Sequence, residues 1–480
     1  MSKKKRHKTM LTSFSIILII IGILGVLTHV LPEAQFVDDV IVNGSGVVGA
    51  KLSDVLLAPI LGFENAVDVI IFLVMLGGFL KIVDKTKALE TGIKVLIKKL
   101  KGRELMLIPI LMLIFSIGGT TYGMLEETVG FYALLSATMV MAGMDTLVAS
   151  ATVLLGAGVG VLGSTINPFA VGPAVSALPE GIQANQGLLI GMGAILWILA
   201  YLIATYFVLS YAKKVKADKG STFLSLREQS AMEKKYGKGK DEEGKEVALT
   251  GKQKVTLVLF ASAFVVMILG FIPWGEFGIT MPSFTGILTG ATLGNWWFYD
   301  AGLWFLLISI IIAIVNKMGE KGFVDVFVDG ADDMVGVMLI IAIARGAYVL
   351  MSITYLDNYI IYNAAEFLKG MPAILYAPLN YLLHIVLSIL VPSSSGIATL
   401  STPIMAPLTQ TLGFSVETNI MILVAANGLV NLFTPTCGAI MGGLTLAKVE
   451  YSTWLKWSAK IIGLIALMSI IVLTFFMCIL

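Results

Sequence analysis

The chain has 480 residues, 57% of them hydrophobic and 13% charged, with a formal net charge of +2. Soluble domains carry about 25% charged residues; one aqueous core could not absorb this much apolar surface, and a mean hydropathy of +0.91 marks a polytopic membrane protein. The basic residues cluster in loops, so the charge does not indicate a nucleic-acid surface. Two cysteines, Cys437 and Cys478, and three scattered histidines argue against a disulfide framework and a metal site.

The chain opens on a basic tail, residues 1–9, with Lys3-Lys4-Lys5-Arg6-His7-Lys8, and an apolar run over about 10–31. The run is too long for a signal-peptide core and no small-x-small site follows, so it reads as a retained first span. Asn65-Ala66-Val67-Asp68 opens a second span, 65–84, and a basic connector then ends in Leu-Lys-Gly at 100–102. The stretch 104–143 is apolar but interrupted by Gly118-Gly119-Thr120-Thr121, which predicts a helical hairpin entering and leaving on one side. Glu126 and Glu127 follow that tip. A span over 145–165 meets a second polar break, Gly163-Ser164-Thr165-Ile166-Asn167-Pro168. Its stripe Gly156, Gly158, Gly160 and Gly163 is explained by close helix packing. After a span over 186–212 comes the only long hydrophilic stretch, 213–254, read as a flexible, solvated linker.

The second half repeats the order. A bridging span over 255–274 and an outside segment lead to spans over 300–317 and 334–353. Gly330-Ala331-Asp332-Asp333 opens the latter, and Arg345 lies inside it. An acidic connector ends in Leu-Lys-Gly at 368–370. The stretch 372–413 carries His384, read as a packing residue, and is interrupted by Pro392-Ser393-Ser394-Ser395-Gly396. A span over 416–436 contains Phe433-Thr434-Pro435-Thr436-Cys437-Gly438, and 455–479 is the last span.

Lys and Arg near span ends mark the cytoplasmic side. With 104–143 and 372–413 as re-entrant hairpins, every basic loop falls on one side and the acidic ones on the other. The N-terminus is then cytoplasmic and the C-terminus outside. The fold expected is all-α, with two inverted-topology repeats, each holding a re-entrant hairpin and a broken helix. The boundaries are 10–212 for the first repeat, 213–254 for the linker, 255–299 for the bridge and 300–480 for the second repeat.

Irregular backbone at membrane depth is tolerated where it lines a cavity, and paired interruptions in two halves point to a transporter's binding site. Freed N–H groups at a helix start suit an anion. Freed carbonyls and hydroxyls suit a hard cation. The candidate substrate-binding residues are Gly119, Thr120, Thr121, Glu126, Glu127, Asn167, Ser393, Ser394, Ser395, Gly396, Thr434, Thr436 and Arg345. Candidate ion ligands are Ser164, Thr165, Asn427 and Thr434. Intramembrane carboxylates and arginines are expensive and usually functional. Glu126 or Glu127 would hold a cationic group or a coupling proton; Arg345 would clamp a carboxylate or neutralise Glu126, Glu127 or Asp333. No Walker motif or nucleophile elbow is present, so nothing suggests ATP-driven transport or an enzyme. No cofactor is expected beyond a coupling Na⁺ or H⁺, and no metal or nucleic acid.

The segment Gly118-Gly119-Thr120-Thr121-Tyr122-Gly123-Met124-Leu125-Glu126-Glu127 resembles the first hairpin of YfcC-like proteins, grouped with C4-dicarboxylate anaerobic carriers and basic amino-acid antiporters in the wider ion-transporter superfamily. Val391-Pro392-Ser393-Ser394-Ser395-Gly396 is similar to their second tip. Ile343-Ala344-Arg345-Gly346 and Leu432-Phe433-Thr434-Pro435-Thr436 also fit. The resemblance covers nearly the whole chain and implies a scaffold plus a mobile transport domain, a homodimer and elevator-like motion in a bacterial-type cell membrane. The function expected is a secondary transporter of amino acids, first a basic one of the arginine/ornithine type. A Na⁺- or H⁺-coupled carrier of dicarboxylates or short carboxylates is the alternative. A channel or non-transporting receptor is the alternative of another class.

Overall fold

The computed structural model describes residues 13–38, 40–92, 95, 103–167, 169–237, 248–272, 274–391 and 393–480. The basic tail 1–9, the first Leu-Lys-Gly, Pro168 and Pro392 lie outside the described residues. Apart from a two-stranded ribbon, Phe36–Val37 with Val40–Ile41, the architecture is helical. The first half contains α1 (Ser13–Leu27), α2 (Leu52–Asn65), α3 (Val67–Lys85), α4 (Leu107–Tyr122), α5 (Val129–Met141), α6 (Thr146–Gly163), α7 (Val171–Ser176) and α8 (Gln186–Ala217). Then come α9 (Leu226–Tyr236), α10 (Gly251–Phe271) and α11 (Phe298–Val315). The second half continues with α12 (Glu320–Ile353), α13 (Leu356–Leu368), α14 (Ala373–Leu390), α15 (Ser394–Thr411), α16 (Val416–Val430), α17 (Gly438–Ala447) and α18 (Tyr451–Ile479). Eight of the described helices are long and apolar enough to cross a membrane.

One bundle is built on α12. Helices α2 and α3, bent by 59° at Ala66, pack along it, with α1 on α12 and α11 on α3. Glycines set the spacing. A Cβ on Gly62 would lie 2.0 Å from the Ala342 carbonyl oxygen, and one on Gly330 would lie 2.3 Å from that of Gly77. Only hydrogen fits at these crossings, so the backbones touch at both ends of the helix pair.

The other bundle is built on the broken helices. All of α6 is buried. Helices α4 and α5 pack on α6, as α14 and α15 pack on α16, and α6 packs on α16. The short helix after each break crosses over: α7 packs on α15 and α17 on α5. The glycine stripe of α6 serves this packing. A Cβ on Gly160 would sit 2.1 Å from the Ser116 carbonyl oxygen, one on Gly158 2.1 Å from Leu432, and one on Gly163 2.5 Å from Trp197. His384 is likewise structural: its Nε2 lies 2.8 Å from Ser401 Oγ and its Nδ1 2.9 Å from the Asn380 carbonyl, tying α14 to α15.

Three expectations shift. Gly118–Thr121 is still helical, the last turn of α4; the break follows at Gly123, whose φ of +77° favours glycine, and runs to Leu125. Gly330–Asp333 opens nothing, because α12 is continuous through it, whereas Asn65–Asp68 coincides with a real bend. The described part of the linker is folded. Helix α9 is fixed by a Ser225–Glu228 capping box, and the buried Glu228 also accepts from Glu450 N at 2.7 Å and Thr453 Oγ1 at 3.1 Å. Tyr236 donates to the Leu446 carbonyl at 2.6 Å.

Candidate functional site

The breaks meet at one cleft between the two bundles, with a cavity of about 100 Å³. Helix starts converge on it. Ser393–Ser395 begin α15, Thr436–Gly438 begin α17, Glu126–Thr128 form a 3-10 turn before α5, and Asp68 lies in the first turn of α3. A helix start leaves its first N–H groups unpaired and carries a positive partial charge. The cleft is therefore suited to an anionic group before any side chain is considered.

Among the expected residues, Glu126, Glu127, Asn167, Ser393, Ser394, Ser395, Thr436 and Arg345 line the cleft. The two glutamates differ. Glu127 is 2% exposed, and its Oε2 accepts from Leu125 N at 3.0 Å, closing the tip on itself. Glu126 is partly open to the cleft. Arg345 is half-buried; among the described residues it makes no hydrogen bond and no ion pair within 4.0 Å. It lines the cleft together with Glu126. Asp333, a partner considered for Arg345, is bonded instead to Lys81 at 2.7 Å.

The remaining expected residues stand behind the lining. Gly119 allows α4 to touch α6, since a Cβ there would sit 2.2 Å from the Ala157 carbonyl oxygen. Thr121 donates to the Ile117 carbonyl on its own helix. Gly396 N donates to Ser393 Oγ at 3.1 Å, an ordinary cap. Thr120 and Thr165 form a clasp: Thr165 N donates to Thr120 Oγ1 and Thr165 Oγ1 to the Thr120 carbonyl, both at 3.1 Å. The second half has its counterpart, Thr436 Oγ1 donating to the Ile389 carbonyl at 3.1 Å, with Thr434 Oγ1 2.7 Å behind it. Ser164, at φ +38°, accepts from Asn167 Nδ2. Asn427 accepts from Ser394 Oγ at 2.7 Å and from Asn431 at 3.2 Å, while its own Nδ2 is buried without a partner among the described residues. The ion-ligand candidates thus support the tips from behind.

The sequence reading missed Asp68, Trp297, Phe169 and Asn431 as lining residues. Asp68 accepts from Val69 N at 2.8 Å and from Trp297 Nε1 at 2.7 Å. Phe169 packs against Trp297 with ring centroids 4.9 Å apart, so aromatic side chains from both bundles meet at the lining. The signal for Asp68 was available: a carboxylate beside Ala66 at the start of an otherwise apolar run.

A second cavity, about 560 Å³, lies further along the seam, between Lys81, Asp84 and Asp333 on one side and Gly130, Ala137 and Met141 on the other. Lys235 and Tyr236 of α9 help to line it; burial, with Lys448 nearby, holds the Lys235 ammonium below its usual range. Gly130 lines this cavity, pressed against Leu80 so that a Cβ would sit 2.7 Å from its Cδ1.

Residues 10–478 match the model of the C4-dicarboxylate anaerobic carrier family. An uncharacterized protein of Haemophilus influenzae is 30% identical over 88% of this chain and 78% of its own length. The Escherichia coli protein named "Putative basic amino acid antiporter YfcC" is 26% identical over 85% and 77%. Two solved structures superpose along nearly the whole chain. They are Neisseria gonorrhoeae MtrF, of a class of antimetabolite efflux pumps (16% identity, TM-score 0.46, 98% and 96% coverage), and the YdaH transporter of Alcanivorax borkumensis (13%, 0.45, 96% and 97%).

Proposed function

The chain belongs to the C4-dicarboxylate anaerobic carrier family, a membrane transporter family, and from that premise we propose that it is a secondary transporter of basic amino acids of the arginine/ornithine type. One observation carries the substrate reading. Three carboxylates, Asp68, Glu126 and Glu127, and a single guanidinium, Arg345, line a cleft on which helix starts converge. A ligand bearing one carboxylate and an excess of positive charge complements that arrangement. Its carboxylate would lie at the starts of α15 and α17, and its cationic end beside Glu126. The name of the Escherichia coli relative agrees with this reading.

Alternating access would move the α4–α7 and α14–α17 bundle, with both hairpins, against the α1–α3 and α10–α12 bundle, in an elevator-like slide. Support for inverted repeats comes from the crossed packing of α7 on α15 and α17 on α5, and from the paired threonine-to-carbonyl bonds. Support for re-entrant hairpins comes from length: the 13 residues of α5 reach about 20 Å, short of a hydrocarbon core of roughly 30 Å. The N-terminus would be cytoplasmic and the C-terminus outside, in a homodimer coupled to Na⁺ or H⁺ or to a counter-substrate.

The family description and the uncommitted Arg345 favour a second reading, a dicarboxylate or short-carboxylate carrier. Uptake into proteoliposomes separates the two. Labelled arginine uptake competed by ornithine and not by succinate is expected. Succinate uptake indifferent to arginine would establish the second reading in its place.

A further inference from the structure

The charges of the cleft are not equally committed. Asp68 has both oxygens bonded, to Val69 N and Trp297 Nε1. Glu127 is turned inward onto Leu125 N. Lys81 and Asp333, further down the seam, neutralise each other. That leaves Glu126 and Arg345, which line the same cleft without a direct ion pair within 4.0 Å. The adjacent Gly346 packs on α2, where a Cβ would sit 2.5 Å from the Ala58 carbonyl oxygen.

We propose that Arg345 is the counter-charge to Glu126 within the cleft, and that the cationic end of the substrate takes over that role. This deepens the reading of the cleft as a basic amino-acid site and rests on it. Two cations cannot share one carboxylate in a confined space without repulsion, so Arg345 competes with the ligand for Glu126. The competition discriminates among ligands. A neutral or anionic ligand offers Glu126 nothing in exchange for Arg345. A dication lacking a carboxylate must displace Arg345 and gives it no new partner. An α-amino acid with a cationic side chain displaces Arg345 and hands it a carboxylate, which the planar guanidinium fork suits.

The probe is agmatine, which keeps arginine's guanidinium and lacks its carboxylate. Purified wild-type protein and the variants Arg345→Gln, Arg345→Met and Arg345→Lys are titrated with agmatine and arginine, and binding is read by calorimetry and melting shift. The two neutral variants are expected to bind agmatine about tenfold tighter than wild type, equivalent to about 1.4 kcal/mol, with Arg345→Lys close to wild type. Either neutral variant suffices if the other does not fold. Agmatine affinity unchanged or weakened in a neutral variant, where wild type binds arginine, overturns the counter-ion role and leaves the substrate reading intact. Wild type that binds succinate and not arginine overturns both.

Discussion

At the scale of single residues, adjacent Glu126 and Glu127 have separate tasks. Glu126 faces the cleft, and Glu127 holds the tip closed through Leu125 N. Glu126→Gln is therefore expected to lose arginine binding while its melting temperature stays within a degree or two of wild type. Glu127→Ala strands a buried N–H and is expected to lower stability by about 1–3 kcal/mol, seen as a fall in melting temperature of detergent-solubilised protein. Equal melting temperatures for the two variants would remove the distinction. Much of this site was legible in the sequence, because intramembrane Glu and Arg and serine-rich breaks are rare and costly. Which glutamate opens onto the cleft was not, since neighbours on a 3-10 turn diverge only once the backbone is placed. Asp68 and Trp297 were passed over because each has an ordinary role, a first-turn carboxylate and an interfacial aromatic. Their mutual bond exists only in three dimensions.

At the scale of elements, the polar interruptions were found by composition, but their register was off by up to a turn. Glycine and threonine can remain helical when a neighbouring helix makes up the packing, and Gly118–Thr121 does so against α6. The linker was read as a tether from its charge. Its helix α9 forms because Ser225 and Glu228 cap it and Glu228 finds partners in the second half. The connector α13 carries a pH dependence. Asp357 is 7% exposed, and burial lifts its carboxyl from 3.8 to about 6. A carboxyl raised in the folded state contributes stability that is full below about pH 4 and is lost as pH rises through 6. Asp357→Asn is thus expected to melt higher than wild type at pH 7.5, by an amount equivalent to about 2–3 kcal/mol, and to match it near pH 4. A constant difference across that range would remove Asp357 as the cause.

At the scale of the whole molecule, the halves are interleaved rather than set side by side, and this was legible only as order along the chain. The sequence order pairs hairpin with hairpin and break with break. It does not reveal that the short helices after the two breaks cross over, α7 onto α15 and α17 onto α5. If the hairpin bundle slides, the contact of Leu80 with Gly130 must open. A Leu80→Cys/Gly130→Cys variant joined by a short bifunctional thiol reagent is expected to lose uptake and keep its arginine melting shift. Uptake that survives complete cross-linking would exclude movement along that seam.

The clasp between α9 and the second half has one more consequence. Glu228 and Tyr236 precede residues 238–247, yet their partners, Leu446, Glu450 and Thr453, lie beyond them. The peptide joining the halves is thus not the bond that keeps them together. Two separately translated polypeptides divided there would find each other in the bilayer and reassemble the whole carrier.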